Sequence, residues 1–285
     1  MFDHAIFDVA IGLALVYLVF SLLCSTLVEF IAGLLSLRGR QLERGIQYLL
    51  EDRALMEQVV QHPLLSKLSD KHRKASYIPA ENFRIALLDS IGFLDELGKP
   101  EQAIENLPKA GLRISLDAMW KDCQGDYALF KEKVETWFSA NMVRVSGWYK
   151  RQIQKLLLLV AFILAAMFNL DSFRIAQEIP QNPAIRAAIA EQLPVIAPDL
   201  NKDAVQNYQA LQIQANQLEA LELPFGWWGF AQYSANFDLI DWLLMVLGWL
   251  LTAFAASMGA DFWFSSIGKV INLRAAGQPA DRKKS

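Results

Sequence analysis

Ser21, Ser25 and Glu29 recur at intervals of four with Tyr17 one step earlier, so a helix through them carries four polar side chains on one face. They lie in or beside Val9 to Val28, twenty residues without a charge. Polar groups within an apolar span are costly in lipid, and they usually face a partner or a water path. A carboxylate at the foot of a hydroxyl ladder suits a proton or ion path centred on Glu29. The same residues also suit a structural role, with Glu29 paired to Lys155 or Arg151 and the serines bonded to backbone carbonyls. The structural role is the expectation.

Other chemistry finds no residues arranged for it. There is no phosphate-binding loop, His-Glu-x-x-His, nucleophile elbow or Gly-rich dinucleotide turn, so we expect a non-enzyme without catalytic residues or cofactor. His4, His62 and His72 lack metal-ligand spacing, and no metal site is expected. The two cysteines, Cys24 and Cys123, lie far apart in unlike surroundings and read as free thiols. A net charge of −3, from 30 acids against 27 bases, supplies no basic field for nucleic acid. The charged run Lys67 to Lys74 lacks interleaved aromatics and reads as solvated surface.

What positions these residues is a set of apolar helices. Of the 285 residues, 54% are apolar and 20% charged, a balance that fits membrane spans joined to sizeable aqueous parts. Val9 to Val28 reaches about 30 Å as a helix, the thickness of a hydrocarbon core. Its acidic leader, with Asp3 and Asp8 and no Lys or Arg, is the reverse of a signal-peptide n-region, so the span is expected to be retained. Trp242 to Ala260 is a further charge-free run of nineteen residues. Between them Leu156 to Leu170 covers only about 22 Å, and snorkelling of Lys155 with inclusion of Gln152 to Gln154 extends it to bilayer thickness.

The cations set the direction. Eighteen of the 27 bases fall between Ser36 and Arg151, three between Asp171 and Asp238, and five from Ser265 onward. Because cytoplasmic loops keep Lys and Arg, the expected topology is N-terminus outside, first loop inside, second loop outside and C-terminus inside. Lys150, Arg151 and Lys155 then mark the inner end of the second span, and Asp171 its outer end.

The first loop reads as helical throughout. Leu37 to Glu51 continues from the first span, and Pro79 opens a helix burying Phe83, Leu87 and Ile91. Gly125-Asp126 marks a boundary with an N-cap. From it Tyr127, Phe130, Val134, Trp137, Phe138, Met142 and Val145 recur every three or four residues, predicting one helix from about Asp126 to Leu170. In the outer loop Pro180, Pro183, Pro194 and Pro198 precede a predicted helix over Asp203 to Leu223, and Trp227 and Trp228 suit the headgroup zone. Beyond the third span Asp261 is expected to cap a helix from Phe262 to Leu273. With Trp263 on one side and Lys269 and Arg274 available to anionic lipid, that helix suits the inner interface, and a continuation of the third span remains open. Small residues four apart, among them Ala161 with Ala165, Ala253 with Ser257 and Ala256 with Ala260, favour close helix packing within or between chains.

The expected fold is therefore all-α and polytopic. It has transmembrane helices at 9–35, 152–172 and 239–260, a helical cytoplasmic domain at 36–151, a smaller helical outer cap at 173–238, and an interfacial helix with basic tail at 261–285. Its partners are the lipid bilayer and a protein partner or second copy, not nucleic acid.

Several local strings are shared with a known group. Ser21-Leu22-Leu23-Cys24-Ser25 through Leu37-Arg38-Gly39-Arg40, Tyr77-Ile78-Pro79-Ala80, Gly147-Trp148-Tyr149-Lys150-Arg151, Asn169-Leu170-Asp171-Ser172, Phe262-Trp263-Phe264 and Asn272-Leu273-Arg274-Ala275-Ala276-Gly277 together resemble a family of bacterial inner-membrane proteins usually called uncharacterised. That family's pattern carries a Pro where this chain has Asp261. The resemblance implies a bacterial inner membrane and supplies no activity.

Overall fold

The computed structural model describes residues 2–68, 75–93, 100–108, 111–181, 226–227 and 234–276. The predicted outer helix over Asp203 to Leu223, the prolines Pro183, Pro194 and Pro198, Trp228 and the basic tail beyond 276 lie outside them. So does the greater part of the Lys67 to Lys74 run. Among the described residues every regular element is helical. The chain divides into two compact units, one of residues 1–29 with 154–285 and one of residues 30–153.

In the first unit, α1 (Phe2–Leu34) contains a stretch, Val9–Leu34, long and apolar enough to cross a membrane. A second such stretch is α10 (Leu239–Ser257). It starts where a side chain can satisfy its open amides: Asp238 Oδ1 accepts from Ile240 N at 2.9 Å and Asp241 N at 3.0 Å, and Asp238 N donates back to Asp241 Oδ2. Such reciprocal bonds satisfy donors that the helix itself leaves free. The third candidate is bent. α8 (Tyr127–Met167) and α9 (Ser172–Gln181) meet at 54° across a four-residue break, and together they are long and apolar enough to count as one span. α9 packs along α10, burying Ile175 and Ile179.

α10 does not run on into α11 (Ala260–Ala276). Met258 caps it and Gly259 adopts φ +87, a left-handed conformation that costs glycine nothing and breaks the helix. A continuous third span is thereby replaced by two helices. Asp261 stands in the first turn of α11, where its charge meets the helix dipole; it is not the cap, because the helix begins one residue earlier.

The second unit folds the polar stretch into α2 (Leu37–Leu50), α3 (Arg53–Gln61), α4 (Pro63–Ser66), α5 (Ala80–Ser90), α6 (Pro100–Glu105), α7 (Gly111–Asp122) and the first part of α8. α2 is not a continuation of α1. Ser36 takes φ 48 and separates the two helices. Asp52 opens α3 by accepting from Leu55 N at 3.0 Å, and Asp126 opens α8 by accepting from Ala128 N and Leu129 N. Pro79 precedes α5, as its fixed φ and missing N–H allow, and Phe83 and Leu87 are fully buried; Ile91 lies past the helix end and is only partly covered.

α8 keeps one continuous helix through Gly147 for 41 residues, because a single glycine weakens a helix by only about 1 kcal/mol. The core of this unit is mostly aliphatic, with aromatic rings meeting inside it. Phe83 stacks on Phe138 with ring centroids 3.9 Å apart, and Phe93 contacts Trp120, Tyr127 and Phe130. At its edge His62 Nδ1 accepts from Leu64 N, so the ring proton sits on Nε2 and points at Asp89 Oδ2, 3.0 Å away. Arg84 Nε donates to Glu135 Oε1 at 2.6 Å, tying α5 to α8. Lys133 donates to Asp122, which holds its ammonium above the ordinary lysine pKa.

Candidate functional site

The break between α8 and α9 gathers polar groups in the unit that carries the candidate spans. A helix that stops inside apolar surroundings leaves carbonyls that water cannot reach, and each must find another donor. Here each does. Asn169 adopts φ 49, a left-handed conformation that asparagine tolerates, and the chain reverses so that Leu170 N reaches Ala165 O at 2.8 Å and Asn169 N reaches Ala166 O at 3.2 Å. Met167 O accepts from the Trp227 indole at 3.0 Å, and Phe168 O from Gly226 N at 2.7 Å. Leu170 O accepts from Thr252 Oγ1 at 2.7 Å.

Asn169 itself is held on both sides. Its Nδ2 donates to Gly226 O at 3.2 Å and its Oδ1 accepts from the Trp249 indole at 3.1 Å. Asp171 restarts the chain as α9: its Oδ1 accepts from Phe173 N at 2.8 Å. The carboxylate is only 8% exposed and seats against the backbone of α10 at Gly248, where any Cβ would overlap it. Asp171 is enclosed because α9 follows the bend and packs along α10.

Hydroxyls link the break to the first span. Tyr17 OH donates to Ser172 Oγ at 2.7 Å, Ser172 Oγ lies 2.7 Å from Thr252 Oγ1, and Thr252 Oγ1 lies within bonding distance of both Leu170 O and Gly248 O. A hydroxyl has one proton to give, so the sequence of bonds runs Tyr17 to Ser172 to Thr252 to carbonyl. It ends on an amide oxygen, which is no base. The arrangement therefore fixes three helices to one another and satisfies the break without any charge moving. Thr252→Val, nearly the same shape without the hydroxyl, removes the donor to Leu170 O and the acceptor for Ser172. We expect a loss of about 1 to 2 kcal/mol, seen as a lower melting midpoint of the detergent-purified protein, with Thr252→Ser close to wild type.

The polar stripe read from the sequence divides at this point. Tyr17 and Ser21 are buried, and Ser21 Oγ donates to Leu18 O within its own helix at 2.8 Å. Ser25 is half-buried and Glu29 exposed. Glu29 makes no ion pair with Lys155 or any other described residue of its own unit, and it lies exposed on α1.

The expected interface anchors are likewise mixed. Lys150, Arg151, Lys155 and Lys269 are exposed, and Arg274 lies on α11. Trp227 is half-exposed yet bonded to the break. Trp263 turns inward: its indole donates to Ala255 O at 2.6 Å and its ring lies 4.7 Å from that of Tyr17. Reasoning from sequence missed Ser172 as the partner of Tyr17, and Asn169, Trp249 and Thr252 as residues that bond the break. Asn-Leu-Asp-Ser was the available signal, since it joins a residue that tolerates left-handed φ to two good helix starters.

No cluster of three or more His, Cys, Asp or Glu side chains suited to a metal occurs among the described residues. Comparison of the chain with family models, curated proteins and solved structures finds no match.

Proposed function

We propose that this chain is a non-enzymatic, integral protein of a bacterial inner membrane, with its N-terminus outside and C-terminus inside, whose cytoplasmic helical domain is a docking platform for protein partners. Two helices, or three with the bent pair, are long and apolar enough to span. The bias of cations toward 36–151 favours placing that domain in the cytoplasm. The observation that carries the reading is that residues 30–153 close a core of their own while keeping apolar side chains such as Ile114, 71% exposed, on a charged surface. Domains that only anchor a span have no need of such a core. In-cell crosslinking through cysteines placed in this domain, read by mass spectrometry, is expected to recover a partner. A lone monomer on purification together with no crosslinked partner defeats the reading. A reporter enzyme fused near position 100 that proves active in the periplasm defeats the orientation.

A second reading is a pore or transporter subunit formed by self-association. The exposure of Glu29 on α1, one turn after the half-buried Ser25, favours it, because a second copy could cover it. Conductance in reconstituted bilayers that changes in Glu29→Gln supports it, and absence of conductance removes it.

A further inference from the structure

The unit of residues 30–153 holds a groove of about 520 Å³ bordered by α2, residues 76–80 and the 138–150 stretch of α8. Its apolar floor includes Leu42, Phe138 and Met142, and Val143 at its margin is 73% exposed. Among the described residues two charged side chains border it, Arg38 and Lys150, both cations and both exposed, and no carboxylate lines it. An apolar channel with these cations at its border complements a molecule of the reverse kind, an apolar tail with an anionic head.

The chain places that border near the bilayer. Arg38 follows Leu34, the last residue of the first candidate span, by four residues. Lys150 precedes Leu156, where the charge-free stretch of α8 begins, by six residues, or about 9 Å of helix. Tyr149 lines the groove next to Lys150, and on the same stretch of α8 Trp148 meets Tyr48 edge-on at 5.4 Å, amphipathic rings of the kind found at the headgroup level. A leaflet supplies anionic amphiphiles there at high local concentration, which a soluble peptide does not match.

We propose that this groove binds an anionic phospholipid, with its acyl chain over Phe138 and Met142 and its headgroup charge met by Arg38 and Lys150. The lipid occupies the groove whether or not the rest of the domain recruits a protein, so the two proposals fail separately. Basic pockets at membrane level owe about 1 kcal/mol to each cation near the headgroups, equivalent to about fivefold in binding.

The test uses the full chain in detergent with equal amounts of phosphatidylglycerol and phosphatidylcholine of identical chains, read by native mass spectrometry. Wild type is expected to retain phosphatidylglycerol preferentially. Arg38→Gln and Lys150→Gln should each lower its bound fraction about fivefold, and the double variant roughly 25-fold, with phosphatidylcholine unchanged. Lys155→Gln, near the bilayer but outside the groove, should leave it intact. Equal loss in Lys155→Gln, or no loss in the double variant, assigns the lipid to the general belt and overturns the proposal. A benzophenone side chain at Val143 should crosslink phospholipid in cells, and adducts to a second copy or to another protein instead overturn it equally.

Discussion

Gly248→Ala is expected to be among the most damaging single-methyl additions in the unit of residues 1–29 and 154–285. The new Cβ would stand 2.5 Å from Asp171 Cγ and closer still to Oδ1. Asp171 is not a loose side chain that can swing away, since Oδ1 accepts from Phe173 N in the first turn of α9 and the residue is enclosed. Relief therefore requires parting α9 from α10, or giving up the cap. Overpacking of this kind costs about 1 to 3 kcal/mol, and loss of the cap adds about 1. The measurement is the fraction of protein remaining monodisperse after graded heating in detergent. Adding Asp171→Ala to Gly248→Ala should recover part of the loss, because the overlap disappears with the carboxylate. If the two substitutions simply add, the seat against Gly248 is not the cause.

Phe83→Ala should do comparable harm to residues 30–153. The ring is fully buried and stacked on Phe138, so truncation opens a cavity that two helices must close around, at a cost of about 3 to 5 kcal/mol. Hydrogen exchange of the full chain localises the effect: amides of α5 and the 130–138 turns of α8 should exchange much faster, while those of α10 keep their protection. Uniform acceleration along the chain would show instead that the two units melt together.

These results bear on how far the chain could be read before its structure. The long helix was legible, since Asp126 announces its start and apolar residues return every three or four positions through Val145, a period only a helix satisfies. The short charge-free length of Leu156 to Leu170 was also visible, though not its cause. The apolar helix ends early because Asn169 turns it, and the turn survives because Trp227, Trp249 and Thr252 arrive from distant parts of the chain to bond the opened groups. Periodicity reports which face of a helix is apolar; it carries nothing about which helix will lie opposite. Tyr17 and Glu29 share one stripe by spacing, yet one is bonded to Ser172 and the other is exposed. Ser36 shows the same limit at smaller scale, because a serine in left-handed φ has no distinctive sequence signal.

The bonds across the α8 and α9 break also impose an order on how the protein is made. Residues 167–172 leave the ribosome some eighty positions before Trp249 and Thr252, the donors they require. Until α10 is released, the nascent chain holds a half-finished bend with open carbonyls, which in the membrane setting proposed above is the condition in which insertases and quality-control proteases engage a client. A polypeptide cut short before residue 239 should for that reason be cleared rapidly, even though its first two apolar stretches are complete.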